Sequence, residues 1–314
     1  MKAAVINDAG APPVLADFAD PEPVEAESAL TVLAAGLHPL VRRLASGGHY
    51  GSAGVYPLVP GVDCVAVGSD GAPVYAGFIR APWGTLAERV AARMGIPLPD
   101  GADPVLIAGG LNPAMSGWLP LARRRREVAA LGTVLVLGAT GVAGRTAVQA
   151  ARLLGADRVV GVGRDPDRLR EVERLGGVPV SFDEGPEALG AALAGTAPSI
   201  ILDYVWGPPA EAAWAALARR GLHDDPADIV HVQIGAGAGE SAALPAGLLR
   251  SRRLLVRGSG AGSTSLDAIV AAMPEVMRRL AAGEIVAPVR AFPLSRIADA
   301  WAFTGPERAV VVPD

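Results

Sequence analysis

Three glycines follow directly on an apolar strand. Thr133-Val134-Leu135-Val136-Leu137 runs into Gly138-Ala139-Thr140-Gly141-Val142-Ala143-Gly144, and a helical pattern continues through Leu154. A loop of this kind lets backbone N–H groups come close to a pyrophosphate. It also puts that pyrophosphate at a helix N-terminus, where unbonded N–H groups and the dipole favour negative charge. The spacing is Gly-x-x-Gly-x-x-Gly, not the commoner Gly-x-Gly-x-x-Gly, and a glycine triplet alone fits a plain tight turn. The strand–loop–helix–strand setting is what points to a dinucleotide. Gly138, Ala139, Thr140, Gly141, Val142 and Ala143 are its expected contacts.

The next strand ends Val160-Gly161-Val162-Gly163-Arg164-Asp165. An enzyme using NAD would place an acidic residue here, on the ribose hydroxyls. Arginine instead suits a 2′-phosphate, whose oxygens match the guanidinium fork, and so predicts NADPH. Gly163, Arg164 and, one turn on, Arg168 are the expected contacts. The competing reading makes Arg164 an ordinary surface residue and gives the ribose to Asp165. Asp165 also has a sufficient structural role, capping a helix that starts at Pro166.

Composition removes other chemistries. Of 28 basic residues, only Lys2 is a lysine. Beyond it there is no lysine for a Schiff base, a Walker phosphate loop or a Tyr-x-x-x-Lys pair. A net charge of -4 argues against a nucleic-acid partner. Cys64 is the only cysteine, so no intrachain disulfide and no cysteine-cluster metal site can form. This fits a reducing cytoplasm. The N-terminal MKAAVINDAG lacks the apolar core of a signal peptide. The uncharged stretch 104–122 contains Asn112, Pro113 and Pro120 and is rejected as a membrane span.

The elements that position these residues change character near residue 113. A chain of 314 residues suggests about two domains. Residues 1–112 read as short β segments with Gly/Pro punctuation. Residues 113–285 alternate apolar strands with helices, the pattern of a parallel sheet covered on both faces. Residues 286–314 return to short β segments with a helix near 294–303, and are expected to rejoin the first domain. Arg123-Arg124-Arg125-Arg126 reads as a solvated helix face.

Together these segments resemble the medium-chain dehydrogenase/reductase superfamily, in its zinc-independent, quinone oxidoreductase-like branch. Ala35-Gly36-Leu37-His38-Pro39, 57–63 (PLVPGVD), 84–88 (GTLAE), 138–149 and 201–204 (ILDY) carry the resemblance, which covers essentially the whole chain. It implies a GroES-like, mostly β substrate domain (1–112 plus 286–314), a Rossmann domain (113–285) and a cleft between them. It also implies a homodimer through Rossmann sheet edges, near Arg253–Ser259. Zinc members carry a cysteine after the Ala-Gly turn and a later Gly-His-Glu; here Leu37 and His38, and Gly61-Val62-Asp63, stand in those places. Asp63 and Cys64 are consecutive in an apparent strand and face opposite ways, so no metal site is expected.

Without zinc, reduction needs a positioned hydride donor and a group to polarise or protonate the substrate oxygen. The resemblance points to His38, Tyr50 and Asn112 as catalytic candidates. Their alternatives are backbone bonding for His38 and packing for Tyr50. Ser116 matches a nicotinamide-contacting Thr of relatives. Gln233, Ile234, Gly235, Gly258 and Ser259 end parallel strands and look like cofactor contacts, or merely turns. Arg308 matches a basic residue that reaches the cofactor. Trp206, at a strand's carboxyl end, and Tyr56 are expected to line the substrate pocket. His49, His223 and His231 lack company for a catalytic role. The resulting expectation is an NADPH-dependent, metal-independent reductase of a quinone, an α,β-unsaturated ketone or a related carbonyl. A non-catalytic NADPH-binding redox sensor on the same fold is the alternative. A short-chain reductase is disfavoured, because about 130 residues precede the loop and the Tyr-x-x-x-Lys pair cannot form.

Overall fold

A computed structural model of the chain describes residues 1–219, 221 and 224–314. The chain divides into two compact units, Met1–Asn112 with Met273–Asp314, and Pro113–Ala272.

The first unit is mostly β. It holds β1 (Lys2–Val5), β2 (Val14–Asp17), β3 (Ser28–Gly36), α1 (Pro39–Ala45), β4 (Asp63–Val67), β5 (Pro73–Gly77), β6 (Arg89–Ala92) and β7 (Met94–Pro97). β1 and β2 form an antiparallel pair. The larger sheet runs β14-β15-β3-β4-β5-β7, with β6 also on β3, where β14 is Val289–Pro293 and β15 is Arg308–Val312. The C-terminal stretch thus completes this sheet: β15 pairs antiparallel with β3. A 3₁₀ turn, Leu294–Arg296, and a short helix, Ile297–Ala302, join its last two strands. Leu37, Val41, Cys64, Leu86, Phe292 and Ile297 are among its core residues.

The motifs that carried the resemblance have packing reasons here. A Cβ at Gly61 (φ 126°) would collide with Thr85, and one at Gly84 with the Val59 carbonyl. A Cβ at Gly36 would collide with the Ala108 carbonyl and the His38 ring.

The helix α2 (Pro104–Glu127) is longer than the sequence suggests, because Pro113 and Pro120 lie inside it. The prolines remove two backbone donors without ending it. By length and composition it could cross a membrane, yet 67% of its most apolar window is buried inside the protein. The arginine run at its end is only partly solvated. Arg124 is buried and donates to the carbonyl and carboxylate of Asp228 at 2.6 and 2.8 Å.

The second unit contains a six-stranded parallel sheet: β8 (Thr133–Leu137), β9 (Arg158–Gly163), β10 (Val178–Ser181), β11 (Ile200–Asp203), β12 (Ile229–Gln233) and β13 (Leu254–Gly258). Between them run α3 (Val142–Leu153), α4 (Pro166–Arg174), α5 (Gly185–Ala192), α6 (Pro208–Ala216) and α7 (Ala246–Ser251). The order is β10-β9-β8-β11-β12-β13, all parallel. The winding therefore reverses between β8 and β11, and such a switch point leaves a crevice at the carboxyl ends of the strands. The continuous apolar run of β8 is explained by complete burial. A doubly wound sheet in one unit, with the other unit mostly β, is the fold class read from the alternation of elements.

Cys64 and Tyr75 are buried in the first unit. Burial pushes the Cys64 thiol up from its ordinary 9.0. Burial, and then the charge and hydrogen bond of Asp63, push Tyr75 well above 10.0. Both groups stay protonated in the fold at pH values where the unfolded chain would ionise them. Their contribution is complete below those ordinary values and is lost as pH rises above them. Stability in urea is expected to fall above about pH 9, by up to about 1.4 kcal/mol per pH unit for each group. Urea midpoints from pH 8 to 10.5, with Cys64→Ala as comparison, check this; an unchanged midpoint would contradict it.

Candidate active site

In the second unit, Gly138 leaves β8 with φ 86°, and the N–H groups of Gly138 and Ala139 both reach the Val162 carbonyl, at 3.0 and 2.8 Å. Gly141 then opens α3 with extended backbone, no side-chain cap and no acidic residue in the first turn. The positive end of the helix is left for an outside anion. The other glycines permit close packing around this turn. A Cβ on Gly144 would run into the Gly138 carbonyl, and one on Gly163 into the Thr140 side chain. A Cβ on Gly138 would lie 2.9 Å from Val205 Cγ1. The cradle is one that larger residues would fill, as a pyrophosphate site requires.

Arg164 is exposed at the end of β9, with no ion-pair partner among the described residues. Asp165 beside it is engaged. Its Oδ1 accepts from the N–H groups of Asp167 and Arg168 at 3.0 and 3.1 Å, and its Oδ2 lies 3.3 Å from Arg168 Nε. Asp165 thus caps α4, and Arg164 is the cation left available beside it. Arg168 would have to exchange this pair to reach a phosphate.

The nicotinamide-side candidates converge on the ends of β11 and β12. Ser116 Oγ donates to the Pro113 carbonyl at 2.6 Å and lies 3.2 Å from the Tyr204 hydroxyl. Ile234 and Gly235 donate their N–H groups to the Asp203 carbonyl at 2.7 and 3.1 Å. Any contact from this segment to a carboxamide would therefore use carbonyl oxygens. Gln233 Nε2 donates to the Gly235 carbonyl at 3.1 Å, and the Ser259 N–H to the Gln233 carbonyl at 2.8 Å. Gly258 pairs with Gln233 across the sheet. Trp206 is half-buried, with φ 56°. Tyr204, a residue with no assigned role in the sequence, backs Gly117, Gly138 and Gly235.

In the first unit, Asp63 is the hub. Its Oδ1 lies 3.0 Å from His38 Nε2, and its Oδ2 accepts from Asn112 Nδ2 at 2.8 Å. Tyr75 is near enough for the Asp63 charge to help push its hydroxyl up. His38 and Asp63 are both buried, and His38 Nδ1 has no partner among the described residues. Arg308 bonds the Leu37 carbonyl at 3.5 Å. Burial, and next the charge of Arg42, push its guanidinium down to about 10, with Asp63 opposing. The fold thus gathers His38, Asn112 and Arg308 around one carboxylate. Sequence reasoning weighs Asp63 only as a metal ligand; the available signal is a carboxylate placed inside an apolar strand. Cys64 faces the other way, into the core. Among the described residues no three His, Cys, Asp or Glu side chains form a metal-binding group.

Two candidates lie apart from this hub. Tyr50 is 81% exposed, its ring 4.1 Å from that of His49. The Tyr56 hydroxyl donates to the Ala45 carbonyl at 2.7 Å, at the end of α1. His223 lies outside the described residues.

No family model matches the chain. It is 32% identical to the probable NADPH-dependent quinone reductase tdiC of Emericella nidulans, over 360 aligned positions spanning 100% of both chains. Among solved structures, it matches the quinone oxidoreductase of Thermus thermophilus, which was also solved as its NADPH complex. The TM-score is 0.81 and the identity 30%, covering 99% of this chain and 100% of that one. An alcohol dehydrogenase superfamily protein of Novosphingobium aromaticivorans shares the fold, with TM-score 0.82 and 23% identity over 100% of both chains.

Proposed function

Because the chain belongs to the quinone oxidoreductase-like branch of the medium-chain dehydrogenase/reductase superfamily, we propose that it is an NADPH-dependent oxidoreductase. It reduces a quinone, an α,β-unsaturated ketone or a related activated carbonyl by direct hydride transfer, without a metal. The observation that carries this reading is the glycine cradle at the sheet's switch point, with Arg164, which has no ion-pair partner among the described residues, at the end of the neighbouring strand.

When bound, the reduced nicotinamide supplies the hydride. The chain's own residues bind, orient and move the proton. The backbone N–H groups of Thr140, Val142 and Ala143 hold the pyrophosphate, while Gly138, Ala139 and Gly141, whose N–H groups are bonded within the turn, shape the cradle; Arg164, with Arg168, holds the 2′-phosphate. Ser116 and the strand ends at 233–235 and 258–259 orient the nicotinamide, and Arg308 adds a cation toward the cofactor. In its protonated form His38 donates through Nδ1, the unpartnered atom, to the substrate oxygen. Asp63 balances the imidazolium charge and sets the ring's orientation, the part a carboxylate plays behind any catalytic histidine. Asn112 holds Asp63 in place. Tyr50 is the second candidate donor, and Trp206 and Tyr56 flank the acceptor. The open edge of the parallel sheet, β13, carries Leu255 at 54% exposure. It supports pairing of two copies through that edge.

The test follows NADPH oxidation with quinones, enones and simple aldehydes, with and without a chelator. Turnover with quinones or enones that the chelator leaves unchanged is expected. Loss of activity to the chelator would overturn the metal-free mechanism, and turnover confined to simple aldehydes would overturn the acceptor class.

A further inference from the structure

The sequence shows no partner for His231, yet the fold supplies two. Asp203 ends β11, His231 stands in β12 and Trp214 lies on α6, and all three are buried. His231 Nε2 is 2.9 Å from Asp203 Oδ2, and Trp214 Nε1–H donates to His231 Nδ1 at 3.0 Å. An indole N–H can only donate, so Nδ1 accepts and the ring hydrogen sits on Nε2, aimed at the carboxylate. The other carboxylate oxygen, Oδ1, accepts from the N–H groups of Val205 and Trp206 at 2.9 and 2.8 Å. Through its side chain Asp203 holds the loop after β11, and through its carbonyl the loop after β12.

The residue this network controls is Trp206. Its φ of 56° is a left-handed conformation that costs a non-glycine residue on the order of 1–2 kcal/mol. The two bonds from Asp203 offset that cost. The indole also packs edge-to-face on Trp214, at 5.4 Å and 86°, and on His231, at 5.7 Å and 88°. Gly207 follows at φ 57°, where a Cβ would lie 2.9 Å from the Ala238 carbonyl. The loop has little freedom to move without breaking several of these contacts.

We propose that Asp203, His231 and Trp214 are positioning residues that fix the Trp206 indole as a rigid wall for a flat aromatic acceptor. This rests on the reading of the protein as a quinone-type reductase with Trp206 beside its substrate. None of the three needs to touch the acceptor; they act through Trp206. A wall that is already ordered avoids the entropy cost of arranging it on binding, and an aromatic face favours a planar ring over an open chain. Binding lost equally from ground and transition states raises KM and spares kcat.

The experiment compares Trp206→Ala, His231→Leu and His231→Gln with the parent. The glutamine amide can donate to Asp203 and accept from Trp214, so it is the conservative rescue. KM and kcat are measured with a naphthoquinone and with a straight-chain enone, and the tryptophan near-UV circular dichroism is recorded. W206A and H231L are each expected to raise the naphthoquinone KM up to about tenfold. The enone KM should rise by less than the naphthoquinone KM, kcat should change by less than KM, and the tryptophan band should be lost, while H231Q keeps the band and the parent KM. If W206A leaves the naphthoquinone KM unchanged, the substrate-side reading of Trp206 fails. If W206A raises it while folded H231L keeps the parent KM and spectrum, the positioning role is overturned. Should H231L not fold, Trp214→Phe removes the donor N–H and carries the same comparison. A parent that turns over no quinone refutes the functional reading, and the spectra alone then decide whether the network holds Trp206.

Discussion

Arg164→Ala is expected to raise the KM for NADPH by about 10- to 100-fold and to leave that for NADH within about twofold. The size follows from losing a charge-assisted guanidinium–phosphate contact, about 1.5–3 kcal/mol. Selectivity follows because only NADPH carries the 2′-phosphate. The geometry leaves Arg164 better placed for this role than its neighbours. Asp165 is committed to capping α4, and Arg168 is paired with Asp165. Lysine cannot substitute, since Lys2 is the only one in the chain. Steady-state kinetics with both cofactors decide the matter, and an equal loss for both would place Arg164 outside the phosphate site. Arg164→Lys should recover only part of the affinity, because an ammonium is a point charge without the bidentate fork.

Asp63→Ala is expected to destabilise the mostly β unit by on the order of 3–5 kcal/mol, a drop in Tm of roughly 10 °C. The truncation strands the His38 imidazole and the Asn112 amide, which lose their shared carboxylate in a buried setting. It also removes a counter-charge of Arg308, whose guanidinium is already weakened by burial. Asp63→Asn should cost less, since the amide keeps the volume and can still accept from one of the two partners. Calorimetry of both variants separates the cases. If D63A melts with the parent, the carboxylate is not the hub of this unit. In D63N, kcat for quinone reduction should fall more than stability does, because a neutral amide cannot balance a protonated His38.

The two predictions differ in how visible their residues are in the sequence. Arg164 is readable there because its proposed role depends on spacing along the chain: a strand, a glycine loop and the end of the next strand. Asp63 is not, because its partners are remote in sequence. His38 precedes it by a helix and a loop, and Asn112 lies in a helix whose two prolines hide it. His231 shows the same limit more sharply. Its neighbours along the chain offer no company, and its partners are 28 and 17 residues away, brought to it by parallel pairing and by α6. The arginine run illustrates the opposite error. Four like charges read as a solvated face, but helical periodicity turns Arg124 inward onto Asp228.

Sequence alone determined the alternation of apolar strands and helices, and hence the doubly wound sheet. It determined the glycine loop and the candidate phosphate cation, and it excluded lysine and cysteine-cluster chemistry. These are local properties: burial writes itself into hydrophobic runs, and close approach writes itself into glycine. Tertiary structure decided which polar groups share a partner. It put His38 and Asn112 on one carboxylate, committed Asp165 to a helix cap, and bound Asp203, His231 and Trp214 into the support of Trp206. Such groupings depend on strand order and helix packing, and no short-range periodicity encodes which distant residues will meet.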